Sequence, residues 1–149
     1  MLKVRDIMTA DVVSVKKETT IRDLAELFTT RRVGSVPVVD QNGDLIGIVT
    51  ESDLIEQDKS LHIPTVISLF DWVLYLESDK KFEKELQKMT GQTVGDIYVE
   101  TVETVTPDTP VNVVADIMSS QKLHAVPVVD GRRLVGIVSR IDLIRTMVK

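Results

Sequence analysis

The pentapeptide VPVVD occurs twice in this chain, at Val36–Asp40 and again ninety positions later at Val126–Asp130. The agreement extends beyond it, since the tripeptide GIV follows at Gly47–Val49 and at Gly136–Val138. The offset falls by one between these matches because QNGD in the first copy is replaced by the shorter GRR, as in a loop edit at a hairpin tip. The chain is therefore an internal repeat, and each copy is expected to be one structural unit.

Each copy predicts the element order β-α-β-β-α. In the first copy, a short strand at Val12–Val15 precedes a helix that begins near Ile21 and has apolar residues at positions i, i+3, i+4 and i+7. Two strands follow at Val36–Val39 and Leu45–Thr50, joined by turn residues. The last helix of this copy is predicted to begin near Ser52.

The second copy repeats this order, with its first strand at Val102–Val105 and its last helix near Ile141. Its long helix is predicted to begin with Thr109 as the capping residue and Pro110 at the first helical position. A unit of about 55 residues is marginal on its own, because too little of its surface is buried. We therefore expect an α/β (α+β) fold in which the two units pack about a pseudo-twofold axis.

A segment between the copies matches neither, which predicts three parts: residues 1–56, a helical insertion at 57–91, and residues 92–149. The insertion holds the only tryptophan, Trp72, together with Phe70 and Tyr75. The favoured interpretation is a helical linker that covers one edge of the core, because aromatic side chains tend to be buried. The alternative is a partner-binding or lid element, because exposed aromatic clusters mark interfaces.

Composition excludes several classes of protein. The 149 residues include no cysteine, which removes disulfides and thiolate chemistry and suits a reducing cytoplasm. The net charge of −5 argues against nucleic-acid binding, which needs a basic surface. No segment reads as a signal peptide or a membrane helix, so no membrane association is expected.

Catalytic motifs are also missing from the sequence. The two histidines, His62 and His124, have no predicted partner, and no serine lies in a G-x-S-x-G elbow. Neither a phosphate-binding G-x-x-x-x-G-K-[ST] loop nor G-x-G-x-x-G occurs, and the acidic residues lack metal-ligand spacing. An enzyme or a metal site is not expected.

The motif [ST]-x-x-D closes each copy, as Thr50–Asp53 and Ser139–Asp142. One interpretation is a capping box, in which the hydroxyl and the carboxylate bind backbone amides at the start of a helix. Against it, capping boxes prefer Glu or Gln, and the shorter Asp is expected to reach back less well. The other interpretation is a ligand site, because an acidic residue at a strand-to-helix junction can accept both hydroxyls of a ribose.

The repeat, the VPVVD strand and the closing G-h-h-[ST]-x-x-D motif (h, hydrophobic) together resemble tandem CBS domains, the Bateman module. The resemblance covers about Val4–Glu56 and Val94–Met147. It implies a regulatory module that binds adenine nucleotides such as AMP, ADP or ATP in two related clefts. It also implies a homodimer whose shape changes on ligand binding and is read by a regulated protein, whose identity is unknown.

The resemblance assigns roles to particular residues. The aspartates Asp53 and Asp142 would bind ribose hydroxyls, and Thr50 and Ser139 would lie near phosphate. The remaining ligand-binding candidates are the residues before the long helix and those at the start of the VPVVD strand: Ser14, Val15, Thr104, Val105, Ser35, Val36, Pro37, His124, Val126 and Pro127.

The two clefts are expected to differ in charge. Arg140 lies beside the motif of the second copy, whereas Glu51 occupies the matching position in the first. A bound phosphate would offset the unfavourable position of Arg140 in the first turn of a helix. The cleft with Ser139 and Asp142 is therefore favoured, and Arg140 is a candidate phosphate ligand. His124 is either a phosphate contact or a partly exposed loop histidine.

Two functions follow from these residues. The first is a stand-alone regulatory module that senses an adenine nucleotide, with NAD(H) or cyclic di-AMP as alternative ligands. The second is a ligand-free protein-interaction or dimerisation domain in which both [ST]-x-x-D motifs serve only as helix caps.

Overall fold

The computed structural model describes residues 1–60 and 92–148, with the backbone alone for residues 57–60. The first copy contains helices α1 and α2, strands β1 and β2, and helix α3; the second contains α4, α5, β3, β4 and α6. Their bounds are α1 Val4–Ile7, α2 Ile21–Arg31, β1 Ser35–Val39, β2 Leu45–Thr50, α3 Glu51–Ser60, α4 Val94–Ile97, α5 Val111–Gln121, β3 Ala125–Asp130, β4 Arg133–Ser139 and α6 Arg140–Arg145. The predicted mixed helix and strand fold is confirmed. The predicted insertion lies almost entirely outside the described residues.

Each copy forms one antiparallel hairpin from the repeated strands. β1 pairs with β2 so that Val36 faces Val49, and β3 pairs with β4 so that Val126 faces Val138. All four of these valines are fully buried. The hairpins have a bulge at the same place, after Val38 and after Val128, so the shorter GRR turn changes the tip without moving the buried face.

The predicted first strand of each copy is much shorter than expected. Only Val15 and Val105 pair with the sheet, in single parallel bridges to Val38 and Val128. The amide of Val39 donates to the carbonyl of Val15 at 2.9 Å, and the amide of Val15 donates to the carbonyl of Pro37 at 3.0 Å. The residues before Val15 do not continue the ladder.

The start of the second long helix also differs from the prediction. Pro110 itself is the N-cap residue of α5 and has no side-chain cap. The hydroxyl of Thr109 instead accepts a hydrogen bond from the amide of Thr106 at 3.0 Å, which closes the preceding turn. In the first copy, the residue that matches Pro110 is Thr20, which caps α2 by accepting from the amide of Asp23. The repeat therefore keeps the helix boundary although the capping chemistry changes.

The sequence patterns did not predict the short helices α1 and α4. Each of them packs against the core of the other copy. Val4 of α1 is fully buried in the core of the second copy, beside Val114, and Val94 of α4 is fully buried in the core of the first, beside Leu24. The amide of Val4 donates to the carbonyl of Thr109 at 2.8 Å, and that of Val94 donates to Thr19 at 2.8 Å. Each hydrophobic core is therefore completed by the other copy.

The chain that follows each short helix runs along the opposite hairpin. Thr9 pairs with Ile137 and Val99 pairs with Ile48, each through two backbone hydrogen bonds of 2.9 to 3.0 Å. These matched contacts relate the copies by a pseudo-twofold axis and place residues of both copies around the same clefts. None of the described helices has the length and apolar character needed to cross a membrane.

Candidate functional site

Two clefts lie between the copies, and each is lined by residues from both. Cleft A has a volume of about 330 Å³ and cleft B of about 660 Å³, within the range of small-molecule sites. Cleft A is lined by residues 9, 11–13, 32–35, 124–125, 137, 139, 141 and 142. Cleft B is lined by residues 34–35, 48, 50–52, 101–104 and 121–125.

The two clefts meet at four residues that line both: Gly34, Ser35, His124 and Ala125. These are matching pairs of the repeat, since Gly34 corresponds to His124 and Ser35 to Ala125. Gly34 and His124 lie just before β1 and β3, and Ser35 and Ala125 are the first residues of these strands. These four residues are therefore available to a ligand in either cleft.

Asp142 is the one buried charged side chain among the described residues, with 5% of its surface exposed, and it lines cleft A. Its Oδ2 accepts from the amide of Ser139 at 2.8 Å and from the Ser139 hydroxyl at 3.0 Å. Its Oδ1 lies 3.7 Å from Nη1 of the exposed Arg145, beyond normal hydrogen-bond length. One oxygen of this carboxylate thus holds the helix end, and the other keeps acceptor capacity.

Asp53 makes the same capping contacts but does not line cleft B. Its Oδ2 accepts from the Thr50 amide at 2.8 Å and from the Thr50 hydroxyl at 3.1 Å. Only Thr50 of this pair borders the cleft. The expectation that the shorter aspartate reaches back less well is wrong here, because both carboxylates accept from the amide three residues before them at 2.8 Å.

Capping by itself does not distinguish a ligand site in this protein. Asp6 and Asp96, in the first turns of α1 and α4, accept from the amides of Lys3 and Thr93 at 2.8 and 2.9 Å. Neither of these aspartates lines cleft A or cleft B. What sets Asp142 apart is burial together with a position on the wall of cleft A.

Arg140 lies at the edge of cleft A but is not part of its wall. Its amide donates to the carbonyl of His124 at 3.1 Å, and its Nε donates to the carbonyl of Leu123 at 3.2 Å. The side chain is exposed, and its neighbours Ser139 and Ile141 both line the cleft. The guanidinium keeps its other donors available to an anion at the edge of the cleft.

Comparison with known proteins decides the family. The CBS domain family model matches residues 4–60 and 94–149, which is most of the chain. This protein belongs to the CBS domain family. The chain is a pair of CBS domains, and the predicted resemblance is confirmed.

The relatives include proteins of different lengths. An uncharacterized protein of Methanocaldococcus jannaschii is 28% identical, over 99% of this chain and 92% of its own length. The chloroplastic CBS domain-containing protein CBSX2 of Arabidopsis thaliana is 32% identical over 88% of this chain, which spans only 56% of that protein.

Solved CBS structures share the fold over nearly the whole chain. The crystal structure of CBSX2 in complex with AMP superposes with a TM-score of 0.76 and 26% identity, covering 99% of this chain and 97% of that one. The CBS domain pair of protein MJ0100, in complex with 5′-methylthioadenosine and S-adenosyl-L-methionine, has a TM-score of 0.71 and 26% identity, covering 98% and 99%. These solved CBS pairs thus hold adenosine-containing ligands.

The structure brings some of the predicted site residues of this CBS pair together and separates others. Ser139, Asp142, His124 and Ser35 line cleft A, while Thr50 and Thr104 line cleft B together with His124 and Ser35. The other candidates lie elsewhere. Val15, Val36, Pro37, Val105, Val126 and Pro127 are buried in the cores or strands, and Ser14 is exposed outside both clefts.

Several wall residues of this CBS pair were not among the candidates. Arg32 and Lys122 line clefts A and B from matching positions, each in the left-handed region with φ of 53° and 56°. Val12 and Val13 line cleft A because the expected strand does not form there. The repeat relates them only in part, since most wall residues of cleft A have a counterpart on the wall of cleft B, ninety or eighty-nine positions away in the chain.

Proposed function

We propose that this CBS pair is a regulatory module that binds an adenine nucleotide, AMP, ADP or ATP, in cleft A. The observation that carries the proposal is Asp142, a buried carboxylate on the cleft wall with one oxygen outside the capping box. The family and the AMP and S-adenosylmethionine complexes of similar CBS pairs support an adenosine-containing ligand.

The ribose is proposed to bind at Asp142. A carboxylate offers about four lone-pair sites, and the Ser139 amide and hydroxyl use two of them on Oδ2. The 2′- and 3′-hydroxyls of a ribose can donate to Oδ1 in short, charge-assisted hydrogen bonds. Binding then leaves the helix cap intact, so the same side chain serves both the fold and the ligand.

The other walls of cleft A suit the two ends of a nucleotide. Val12, Val33 and Ile137 supply apolar surface for a purine ring. Arg32 on the wall and Arg140 at the edge supply guanidinium groups, which match phosphate oxygens in pairs. Ser35 and His124 add further hydrogen-bonding groups to the wall.

In this proposal, ligand binding regulates by changing how the two copies are arranged relative to each other. Because cleft A is built from both copies, a ligand that binds their closed arrangement more tightly shifts the population toward it. The signal is then read through a homodimer or by a regulated partner protein. No chemical step is assigned, so the nucleotide is released unchanged, and the proposed location is the cytoplasm, where such nucleotides are available.

A ligand-free interaction domain is the second candidate, because Asp6 and Asp96 cap short helices outside clefts A and B. A thermal-shift titration of the full chain separates the two functions. A ligand at one hundred times its Kd adds about 2.7 kcal/mol to stability, which moves Tm by several degrees. We expect AMP, ADP or ATP to raise Tm. If Tm is unchanged by AMP, ADP, ATP, NADH and cyclic di-AMP, the protein is a ligand-free interaction domain.

A further inference from the structure

A proline is the third residue of the first long strand in each copy, Pro37 in β1 and Pro127 in β3, and both rings are fully buried. The carbonyl of Pro37 accepts from the amide of Val15 at 3.0 Å, and the carbonyl of Pro127 accepts from the amide of Val105 at 3.1 Å. The nitrogen and the carbonyl of a strand residue point to the same edge of the strand. Each proline therefore turns its nitrogen toward the segment that precedes these valines.

The nitrogen of Pro37 lies where the next bond of the parallel ladder would form. Val15 bonds to residues 37 and 39 of β1. Two residues earlier on each strand, Val13 would need the carbonyl of Ser35 and the amide of residue 37. A proline has no amide to donate, and its ring occupies the position of the missing hydrogen. The ladder cannot add this bond.

The second copy repeats this geometry. Val105 bonds to residues 127 and 129 of β3, so Glu103 would need the amide that Pro127 lacks. Within residues 1–60 and 92–148, neither Val13 nor Glu103 pairs with a strand. The prolines therefore account for the reduction of each predicted first strand to a single bridge.

The segments that leave the sheet become walls of the two clefts. Val12 and Val13 line cleft A, and residues 102–104 line cleft B. Ser35, the residue to which Val13 would bond, also lines cleft A. Pairing would bring their backbones to the strand spacing of about 4.8 Å, which leaves no room for a ligand between these two parts of the wall.

We propose that Pro37 and Pro127 are positioning residues, which keep cleft A and cleft B open by ending the ladder. Neither proline lines a cleft, so each acts through the segment that it releases. Pro37 acts on cleft A and Pro127 on cleft B. The expected effect on AMP rests on the proposed function, whereas the effect on the ladder does not.

Amide hydrogen exchange of the full chain, measured by NMR, tests the effect on the ladder. Pro37→Ala supplies the missing amide. We expect the amide of Val13 to exchange about tenfold more slowly than in the wild-type chain, because it becomes hydrogen-bonded, and that of Glu103 to be unchanged. In Pro127→Ala the pattern is expected to reverse, with slower exchange at Glu103 alone.

Isothermal titration calorimetry with AMP tests the effect on cleft A. Pro37→Ala is expected to weaken AMP binding about tenfold, equivalent to about 1.4 kcal/mol, because the wall moves into the cleft. Pro127→Ala is the matched control, since it removes an equally buried ring from the other copy, and its AMP affinity is expected to equal that of the wild type. If an alanine variant does not fold, valine at the same position supplies the amide with a side chain that favours strands.

Three results would overturn the inference. The first is equal exchange of the Val13 amide in Pro37→Ala and the wild type. The second is slower exchange of this amide with unchanged AMP affinity, and the third is equal loss of AMP affinity in both alanine variants. The exchange measurement needs no ligand. A wild-type chain that binds no AMP would therefore overturn the proposed function alone, and exchange would still decide whether the prolines end the ladder.

Discussion

Clefts A and B are built on matching backbone and differ in the side chains at most of their matched positions. The hydrogen bonds that set Arg140 and Glu51 are equal in length, and Arg32 and Lys122 share one backbone conformation. Yet Asp142 lines cleft A, whereas its counterpart Asp53 does not line cleft B. The comparison teaches that the repeat fixes the backbone of both clefts, and that substitutions at matched positions give each cleft its own side chains.

The two hairpins differ most in how closely the chain from the other copy approaches them. A methyl group on Gly47 would lie 2.5 Å from the Val99 carbonyl oxygen and 2.4 Å from the Tyr98 ring. Gly47→Ala is therefore expected to cost about 3 kcal/mol of unfolding free energy, at the upper end for overpacking, as measured by urea denaturation.

Gly136→Ala is the matched control in the other copy. Its methyl group would lie 2.7 Å from Met8 Sδ, near the end of a flexible side chain, and 3.1 Å from the Thr9 carbonyl. Because Met8 can move aside, we expect a loss of about 1 kcal/mol. Equal losses in the two variants would contradict the closer approach described for the first hairpin.

The ribose assignment predicts the next largest effect. In Asp142→Asn the amide oxygen can still accept from the Ser139 amide, but the NH₂ group cannot accept from a ribose hydroxyl. We expect AMP affinity to fall by about 2 kcal/mol, roughly thirtyfold, with little change in Tm. Calorimetry and thermal denaturation measure the two quantities separately.

Asp96→Asn controls for the helix cap, because Asp96 makes the same backbone contact outside both clefts. Its AMP affinity is expected to match that of the wild type. If Asp142→Asn lowers Tm and leaves AMP affinity unchanged, Asp142 is a cap alone and the ribose site is elsewhere.

The smallest effects are expected at the ends of the long helices. Arg32 and Lys122 both have positive φ, a conformation that costs a side-chain residue about 1 kcal/mol relative to glycine. Arg32→Gly and Lys122→Gly are each expected to raise the unfolding free energy by about 0.5–1 kcal/mol. Only Arg32→Gly should weaken AMP binding, by about threefold, because Arg32 lines cleft A. Equal AMP affinity in the two variants would remove Arg32 from the phosphate site.

Much of the fold could be predicted because the hydrophobic pattern is local and is written twice. The strand Leu45–Thr50 has the predicted bounds, and the start of α2 at Ile21 follows from its apolar spacing. The short helices α1 and α4 could not be predicted in the same way. Four residues carry too little periodicity, and Val4 and Val94 are buried only because the other copy covers them.

The candidate site could be predicted only at its repeated motifs. Ser139, Asp142 and Thr50 lie on the cleft walls as a strand-to-helix junction suggests. Val36 and Val126 were proposed from their place in the motif, but both belong to runs of four consecutive buried strand residues and lie in the cores. Arg32 and Glu103 line clefts that are built from both copies, a long-range feature that spacing along the chain does not contain.

The central claim is that the carboxylate of Asp142 binds the ribose of a nucleotide while it caps α6. A crystal structure of the full chain grown with AMP tests it most directly. We expect AMP in cleft A, with its 2′- and 3′-hydroxyls about 2.5–3.0 Å from Asp142 and the Ser139 amide still bound to Oδ2. AMP bound away from Asp142, or cleft A empty at saturating AMP, would contradict it.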